Sequence, residues 1–356
     1  MRLAVVGVGL IGGSIGLAAR EQGLEVAGYD VLPEVLERAR ELGALDAVAG
    51  SVAEAVEGAE GCFVCAPVGE LPALVDQALG AAPERCVVSD VGSTKRAIAA
   101  GTTDQRFVGG HPIAGAESSG VENATADLFQ GAAWYLTPTE ASSGLLYERL
   151  HRLIVSLGAT PIAIDAETHD RLLAAVSHLP HVLANVLVSQ AARTLAQEQE
   201  ALPRVGPSFR DATRVAGASS GIWTDIYLTN REAIAAEIDE TVERLRGVAD
   251  ALRAGERGAI EGWNEAASED RRRLLELELA GGEVHELRLT VPNRPGIVAQ
   301  VALALGRAGV NIVDLSLAPA PDMRSGAMTL WVAGDEAASR ARGLIEELGF
   351  PVGSPG

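Results

Sequence analysis

A histidine between glycines and a proline is the residue of this chain best suited to acid–base chemistry. Residues 109–120 read GGHPIAGAESSG, so His111 ends a short apolar run and Pro112 fixes the chain behind it. A histidine near its ordinary pKa can accept a proton from an alcohol while hydride leaves the same carbon. We therefore predict that His111 is the base of an alcohol oxidation. The alternative is a histidine that only packs against a turn.

A serine in the preceding motif offers a second polar group. The run VVSDVGSTK at residues 87–95 places Ser93 just beyond an apolar strand pattern. Its hydroxyl could contact a cofactor or a substrate, or it could cap the helix predicted to begin near Lys95, since serine is a favoured N-cap. We predict a catalytic role and leave the capping alternative open.

Two further histidines, His178 and His181, occur in the motif SHLPH. Residues spaced i and i+3 share one side of a helix, so both imidazoles could face one site. The spacing would also suit a metal, but no carboxylate or third ligand accompanies them and Pro180 disturbs the helix. We predict substrate contacts here, and no metal.

The segment FRDATRVAGASSGIW, residues 209–223, carries Arg210 and Arg214 four residues apart. Two guanidinium groups on one helical face can clamp a carboxylate. The alternative is a surface ion pair with Asp211. Trp223, at the end of the segment, could contact the substrate or simply belong to the core.

The first thirty residues carry the pattern G-x-G-x-x-G at Gly7, Gly9 and Gly12, followed by Asp30 about 20 residues on. A tight turn after a strand, a bare backbone and a helix N-terminus can bind a pyrophosphate, and Asp30 can accept hydrogen bonds from an unphosphorylated ribose. The pattern therefore predicts NAD, in preference to NADP, as cofactor. The predicted contacts are Gly7, Val8, Gly9, Leu10, Ile11, Gly12, Asp30, Pro67 and Gly92.

Strand-like runs alternate with helical patterns over the first part of the chain. They are 3–6, 26–29, 61–65, 86–90, 106–108, 134–137 and 160–163. We predict an α/β fold whose N-terminal domain, residues 1–163, is a Rossmann-type, mostly parallel, doubly wound sheet. Ligands of such sheets bind at the carboxyl ends of the strands, where Gly7, Pro67, Gly92 and His111 fall.

The remainder divides into two regions. Residues 164–280 lack strand patterns and predict an all-helical domain that binds substrate and pairs two chains into a homodimer. The glycine pair at 281–282 marks a linker. Residues 285–353 then predict a small βαββαβ module.

Composition limits the possible partners. The chain has 356 residues, a formal net charge of −19 and no basic stripe, which argues against nucleic acid or an anionic membrane surface. The uncharged stretch 172–192 approaches membrane length, but its polar groups favour a buried helix at a subunit interface. On a strand, Cys62 and Cys65 point to opposite faces, which indicates structural thiols in a reducing cytoplasm.

Together, the segments GVGLIGGSIG, DVGSTK, GGHPIAGAESSG, SHLPH and FRDATR resemble the prephenate/arogenate dehydrogenase family, in the family's order and over residues 1–280. The resemblance implies NAD(P)-dependent oxidative decarboxylation of prephenate to 4-hydroxyphenylpyruvate, on the route to tyrosine. It places the catalytic histidine on His111 and a substrate-contacting serine on Ser93. The substrate-binding positions implied by the family pattern are His178, His181, Arg214, Trp223 and, at the pocket mouth, Glu117.

The C-terminal module, with its PNRPG turn, resembles an ACT domain, a regulatory fold that binds amino acids at interfaces. That resemblance implies feedback by tyrosine, with Asn293, Gly296 and Asn311 near the effector. A module that serves only for dimerisation is the alternative.

Other functions remain open at this stage. Arogenate differs from prephenate only in a side chain far from the hydride, so arogenate dehydrogenase is the first alternative. The β-hydroxyacid dehydrogenases share the first domain but rely on a helical-domain lysine, and residues 165–280 contain none. An NAD-sensing regulator would not need Ser93, His111 and Arg214 together.

Overall fold

A computed structural model of the chain describes residues 1–114, 119–198, 205–278, 284–292, 294–320 and 325–353. The predicted site residues Glu117 and Asn293, and the glycine pair at 281–282, lie outside these ranges. The chain forms two compact units. The first contains Met1–Leu173, Gly217–Thr229 and Val284–Gly356, and the second contains Ala174–Ala216 and Asn230–Glu283. The C-terminal segment, which the sequence suggests as a third domain, thus belongs to the first unit.

The first unit begins with a five-stranded parallel sheet in the order β3-β2-β1-β4-β5. Its strands are β1 (Arg2–Val6), β2 (Glu25–Tyr29), β3 (Ala47–Val48), β4 (Gly61–Val64) and β5 (Val87–Asp90). The helices between them are α1 (Leu10–Glu21), α2 (Pro33–Glu41), α3 (Val52–Val56) and α4 (Leu71–Ala81). The apolar side chains of β1 are buried on both faces, as expected of a sheet covered by helices on both sides. The predicted Rossmann-type sheet is confirmed.

A second, three-stranded sheet follows in the same unit. Its strands are β6 (Gly109–Pro112), β7 (Ala133–Thr137) and β8 (Thr160–Ala163), with α5 (Arg96–Gly101) before β6 and α6 (Gly144–Ser156) between β7 and β8. The strand predicted at 106–108 is wrong in its position: Phe107 makes only an isolated bridge to Val88, and the paired strand begins at Gly109. The reason is antiparallel pairing with β7, which sets His111 opposite Tyr135 and inside the strand.

Helices occupy most of residues 166–278. They are α7 (Ala166–Leu173), α8 (Leu179–Glu198), α9 (Pro207–Thr213), α10 (Ser220–Thr229), α11 (Arg231–Ala254) and α12 (Arg257–Glu278). Between α7 and α8, the residues Ala174–His178 form a π-helical turn. Pro180 lacks an N–H group and crowds the preceding turn, which accounts for this irregularity.

One described helical stretch, Ala166–Ala196, is long and apolar enough to cross a membrane. It contains the polar residues His178, His181 and Asn185, which a lipid-facing helix would leave without water. Of its most apolar window, 28% is buried within the chain. The polar residues favour coverage of this helix by protein over coverage by lipid.

The C-terminal segment forms an antiparallel sheet with two helices. Its elements are β9 (Val284–Pro292), α13 (Ile297–Arg307), β10 (Ile312–Pro319), β11 (Ser325–Ala333), α14 (Asp335–Glu347) and β12 (Val352–Gly353), with the strand order β10-β11-β9-β12. Alternate residues of the two central strands are apolar and buried, so one face of the sheet packs on the helices: Leu287, Leu289 and Val291 of β9, and Met328, Leu330 and Val332 of β11. The predicted order of strands and helices is confirmed.

This C-terminal module packs tightly against the second sheet of the same unit. A side chain at Gly306 would lie 2.0 Å from the carbonyl oxygen of Ala163, and one at Gly144 would lie 2.8 Å from Val298. Apolar residues of the module and of the nucleotide-binding region form one continuous buried cluster. The two regions therefore share a core.

Candidate active site

The turn after β1 has the shape that the glycine pattern predicts. Gly7 adopts a φ of +87°, and a side chain there would lie 2.3 Å from the carbonyl oxygen of Cys65. A side chain at Gly12 would lie 2.0 Å from the carbonyl oxygen of Gly7, so only glycine lets α1 approach the turn this closely. At Gly9 nothing lies within 4 Å of a built Cβ atom, which leaves the backbone open to a ligand.

Asp30 joins the ends of two strands at this turn. Its Oδ2 accepts a hydrogen bond from the Val8 amide at 2.8 Å, and its Oδ1 accepts one from the Leu32 amide at 3.0 Å. The carboxylate is half-buried and therefore held in one orientation beside the glycine turn. Of the other predicted cofactor contacts, Leu10 and Ile11 open α1, and Pro67 is exposed beyond β4.

The end of β5 carries a buried ion pair. The Lys95 ammonium bonds Asp90, and it also donates to the carbonyl oxygen of Gly110 at 2.7 Å. Asp90 in turn accepts from the amides of Gly92 at 2.9 Å and Gly110 at 3.2 Å. Burial lowers the pKa of Lys95, and the charge and hydrogen bond of Asp90 oppose that shift. The pair ties the end of β5 to the strand that carries His111.

Gly92 has a packing role, and its predicted cofactor contact stays a prediction. A side chain there would lie 2.4 Å from Leu71, so the glycine serves close packing between β5 and α4. Ser93 is half-buried beside it. The helix α5 begins at Arg96, and the Asp170 carboxylate accepts the hydrogen bonds of its first amides, so Ser93 is not the cap of this helix.

His111 is buried and hydrogen-bonded to a second histidine. Its Nδ1 lies 2.9 Å from Nε2 of His169 on α7, and the two rings meet edge to face. Nδ1 of His169 lies 2.9 Å from Oδ1 of Asp170. Asp170 also accepts hydrogen bonds from the amides of Lys95 at 2.7 Å and Arg96 at 2.9 Å. A continuous chain of hydrogen bonds thus leads from the candidate base to an anchored carboxylate.

The protonation states along this chain have clear physical causes. Burial lowers the pKa of His169, while its hydrogen bond to Asp170 opposes the shift, so this ring is neutral near pH 7. Burial raises the pKa of Asp170, but the hydrogen bonds from His169, Arg96 and Lys95 outweigh it and the pKa falls. Asp170 is therefore ionised near pH 7.

Trp223 lies on α10, within the first unit. Its half-buried indole packs against the apolar cluster that contains Ile226 and contacts the ring of Tyr227. Two hydrogen bonds fix the helix: Asp225 accepts from the Gly69 amide at 3.3 Å, and the hydroxyl groups of Thr94 and Thr229 lie 3.1 Å apart. Packing of this kind supports the core interpretation of Trp223 and leaves its substrate contact a prediction.

His178 and His181 lie in the second unit, and both are buried. The amide nitrogen of Asn230 lies 3.1 Å from Nδ1 of His178, and that of Asn185 lies 3.2 Å from Nδ1 of His181. An amide nitrogen can only donate, so each Nδ1 accepts, and the proton of each ring lies on Nε2. Burial lowers the pKa of His181, against a backbone hydrogen bond involving Val215.

Arg210 and Arg214 also belong to the second unit. Arg210 lies in α9, and Arg214 follows its last residue with helical backbone angles. Both side chains are exposed. The helical spacing that the sequence predicts is therefore present. Among the described residues, no three His, Cys, Asp or Glu side chains come together to hold a metal ion.

Sequence reasoning missed Lys95, His169 and Asp170 as parts of the site. The only local signal for His169 and Asp170 was a polar pair, HD, ahead of the SHLPH motif. Both side chains are almost completely buried. Buried polar pairs of this kind need partners, and the partners here lie 58 to 75 residues away in the chain.

Family models match most of the chain before its C-terminal module. Residues 15–163 match the nucleotide-binding domain of prephenate dehydrogenase, and residues 165–264 match its dimerization domain. Prephenate dehydrogenase of Bacillus subtilis is 28% identical over 97% of this chain and 95% of its own length. Cyclohexadienyl dehydrogenase of Zymomonas mobilis is 30% identical over 70% of this chain and 88% of its own length.

Solved structures agree with this assignment. Prephenate dehydrogenase from A. aeolicus, solved with hydroxyphenyl propionate and NAD+, superposes with a TM-score of 0.73 at 28% identity, over 77% of this chain and 98% of that chain. Arogenate dehydrogenase from Synechocystis superposes with a TM-score of 0.68 at 26% identity, over 77% of this chain and 100% of that chain. By sequence and by fold, the chain belongs to the prephenate dehydrogenase family.

Proposed function

We propose that this chain catalyses the NAD-dependent oxidative decarboxylation of prephenate to 4-hydroxyphenylpyruvate. The observation that carries the proposal is the buried His111, hydrogen-bonded through Nδ1 to His169, in the unit that also holds the glycine turn. Prephenate is a dianion with a ring hydroxyl, so its oxidation needs a base for the hydroxyl proton and a cation for a carboxylate. The chain supplies candidates for both.

The residues of the first turn fit NAD. The open backbone at Gly9 leaves room for a pyrophosphate, and the first turn of α1 contains no acidic residue that would repel it. Asp30 stands beside the turn as an acceptor for ribose hydroxyls and repels a 2′-phosphate. NAD, when bound, supplies the hydride acceptor of the reaction.

His111 is proposed as the catalytic base. Its ring accepts the proton of the substrate hydroxyl, and Ser93 is proposed to hydrogen-bond that hydroxyl and orient it. Burial of His111 keeps bulk water from competing for the same proton. Loss of the ring carboxylate then yields an aromatic product, which makes the overall step effectively irreversible.

Residues of the helical region are proposed to bind the substrate. Arg214 is assigned to a substrate carboxylate, with Arg210 beside it, because an exposed guanidinium can form two parallel hydrogen bonds to such a group. His178, with a proton on Nε2, is proposed as a hydrogen-bond donor to substrate, and His181 is proposed to contact the substrate beside it. Trp223 and Glu117 complete the proposed set.

NADH formation tests the proposal. The full-length chain is assayed with prephenate and with arogenate, each with NAD and with NADP, at matched concentrations. The proposal expects NADH from prephenate with NAD. Turnover of arogenate alone would instead assign arogenate dehydrogenase, the activity named for the Synechocystis structure. Turnover of neither substrate would overturn the proposal.

A homodimer is proposed as the working form. The second unit exposes apolar side chains on its long helices, including Val242, Leu245, Leu252 and Trp263. A second copy of the chain would cover such a surface, in keeping with the match to a dimerization domain. Sedimentation equilibrium checks this: twice the mass of 36.8 kDa is expected, and a monomer at micromolar concentration would contradict it.

The C-terminal module is proposed to be an ACT-like domain that binds an amino-acid effector, with tyrosine as the natural candidate. Oδ1 of Asn311 is buried without a hydrogen-bond partner among the described residues, and an effector ammonium could bond it. Gly296, by contrast, donates to the carbonyl oxygen of Ser142 and lies against Glu140. Of the expected effector residues, Asn311 therefore has the stronger support.

Calorimetric titration with tyrosine and phenylalanine tests the effector. The full chain is required, because the module shares its core with the nucleotide-binding region. Heat with tyrosine that disappears in Asn311→Leu supports the proposal. Equal heats in the wild type and in Asn311→Leu would show that tyrosine binds at a site without Asn311. If neither amino acid gives heat, the module does not bind these effectors and has only a structural role.

A further inference from the structure

We infer that Asp170 and His169 act as a positioning pair for His111, holding the proton of its neutral ring on Nδ1 so that Nε2 is the basic nitrogen. This inference rests on the proposed function of His111 and adds two residues that the family motifs in the sequence did not indicate.

Asp170 anchors the chain of hydrogen bonds. Its two oxygens accept the amides of Lys95 and Arg96, so the carboxylate is fixed at the start of α5. A carboxylate can only accept, and Nδ1 of His169 lies 2.9 Å from Oδ1. His169 must therefore carry its proton on Nδ1 and point that proton at Asp170.

The same constraint passes to His111. A neutral His169 with its proton on Nδ1 presents a lone pair on Nε2. Nδ1 of His111 lies 2.9 Å from this lone pair. The two nitrogens form a hydrogen bond only if Nδ1 of His111 carries a proton and donates it. Neutral His111 then has its lone pair on Nε2, and a substrate hydroxyl proton moves to that atom when hydride leaves the substrate carbon.

The pair also favours the charged form of His111 that results. Once Nε2 is protonated, the positive ring keeps its Nδ1 hydrogen bond to His169, which the Asp170 carboxylate polarises. The surrounding titratable and charged groups in the described part of the chain are Asp90, Lys95, Tyr135, His169 and Asp170. Asp170 is the carboxylate hydrogen-bonded to His169, and its charge favours a positive ring there; the charges of Lys95 and Asp90 act on His169 in opposite directions.

The test compares three variants with the wild type. In His169→Phe an aromatic ring remains but no acceptor faces His111. Residues that orient an active-site histidine by a hydrogen bond typically contribute about 10- to 100-fold to activity, so we expect kcat to fall by that factor while KM for both substrates changes by less than about threefold. The acid limb of the kcat/KM profile should move to lower pH, because the positive ring loses an acceptor. His169→Gln restores an acceptor oxygen and should recover most of kcat.

Tyr135→Phe serves as the matched control. Tyr135 packs edge to face on His169, with ring centres 5.6 Å apart, but takes no part in the hydrogen-bond chain. Its kcat and acid limb should match the wild type. If Tyr135→Phe reproduces the His169→Phe effects, packing alone accounts for them and the inference fails.

A readout independent of turnover is the ¹⁵N spectrum of histidine-labelled protein. His111 is assigned by its absence in His111→Asn. We expect its Nδ1 to be protonated in the wild type and both tautomers to appear in His169→Phe. A wild-type spectrum with the proton on Nε2 would overturn the inference. If His111→Asn loses activity while His169→Phe keeps both kcat and pH profile, the inference fails and the proposed function stands.

Discussion

Lys95 and Asp90 form an ion pair in which the side chains are 1% and 0% exposed. The pair lies between the end of β5 and the strand of His111, since Lys95 also bonds Gly110. A buried charge left without its partner is expensive, whereas removal of both charges is often close to neutral. This asymmetry gives a stability prediction.

Lys95→Met should lower the free energy of unfolding by about 3 to 5 kcal/mol, because it leaves the Asp90 carboxylate buried and uncompensated. The double variant Asp90→Asn with Lys95→Met has no such charge and should recover a large part of the loss. Urea unfolding followed by circular dichroism measures both. Equal losses in the single and double variants would show that the ion pair is not the source of the effect.

His151 should make the fold sensitive to acid. It lies on α6, with Nδ1 3.9 Å from the Asp314 carboxylate on β10, where the C-terminal module meets the nucleotide-binding region. Burial lowers its pKa to about 4, and Asp314 opposes that shift. An unfolded histidine titrates near 6.5, so the unfolded chain binds the additional proton between about pH 6.5 and 4. Stability is therefore complete above about pH 6.5 and falls, by on the order of 3 kcal/mol, as the pH drops toward 4.

Thermal unfolding between pH 7.5 and pH 4.5 measures this loss. His151→Phe keeps a ring of similar size and should flatten the dependence. His285→Gln is the control, because His285 is partly exposed and pairs with an exposed Asp335. A wild-type pH dependence that persists unchanged in His151→Phe would assign the acid sensitivity to other groups.

Asp30 should set the cofactor preference. Asp30→Asn replaces a charged acceptor for the ribose hydroxyls by a neutral one, so we expect KM for NAD to rise about tenfold, or roughly 1.4 kcal/mol. The substitution also removes the charge that repels a 2′-phosphate, so discrimination against NADP should fall. Asp46→Asn is a matched control, because Asp46 also accepts a strand amide, that of Val26, but it does so at the opposite end of β2, where it pairs with Arg20. An unchanged ratio of NAD to NADP efficiency in Asp30→Asn would remove Asp30 from cofactor selection.

The cysteines should be inert in the folded protein. Cys62 belongs to one apolar cluster and Cys65 packs against the other, so the two thiols face opposite sides of β4. Burial raises the pKa of both, and it raises the pKa of Cys86 to about 12. Reaction with a disulfide reagent at pH 8 should be slow until denaturant is added, and then reach three thiols per chain. Rapid labelling of one thiol in the native protein would contradict this.

Short sequence motifs predicted those site residues whose roles depend on neighbours in the chain or on the adjacent strand. The glycines of the first turn work through contacts with residues nearby in the chain or on the adjacent strand, so their spacing alone indicated their roles. His111 could be found because it lies between glycines in a short motif. Gly92 fitted the same reasoning, but its local pattern did not indicate that the side chain of Leu71 occupies the space beside it.

Long-range contacts could not be read from the pattern. His111 pairs with His169, and Asp170 accepts the amides at the start of α5. Both contacts depend on where α7 packs in the folded chain, which the periodicity of the sequence does not specify. The same is true of the bond between Gly296 and Ser142, which docks the C-terminal module. The start of β6 was misplaced because pairing with β7, rather than the apolar run itself, decides where the strand begins.

The central claim is that His111 takes the proton of the substrate hydroxyl, and the turnover of His111→Asn with prephenate and NAD tests it most directly. Loss of a general base typically costs about 10²- to 10⁴-fold, so we expect kcat to fall within that range while KM for prephenate changes little. A kcat within a factor of two of the wild type, in a variant whose fold and NAD affinity are intact, would contradict the claim.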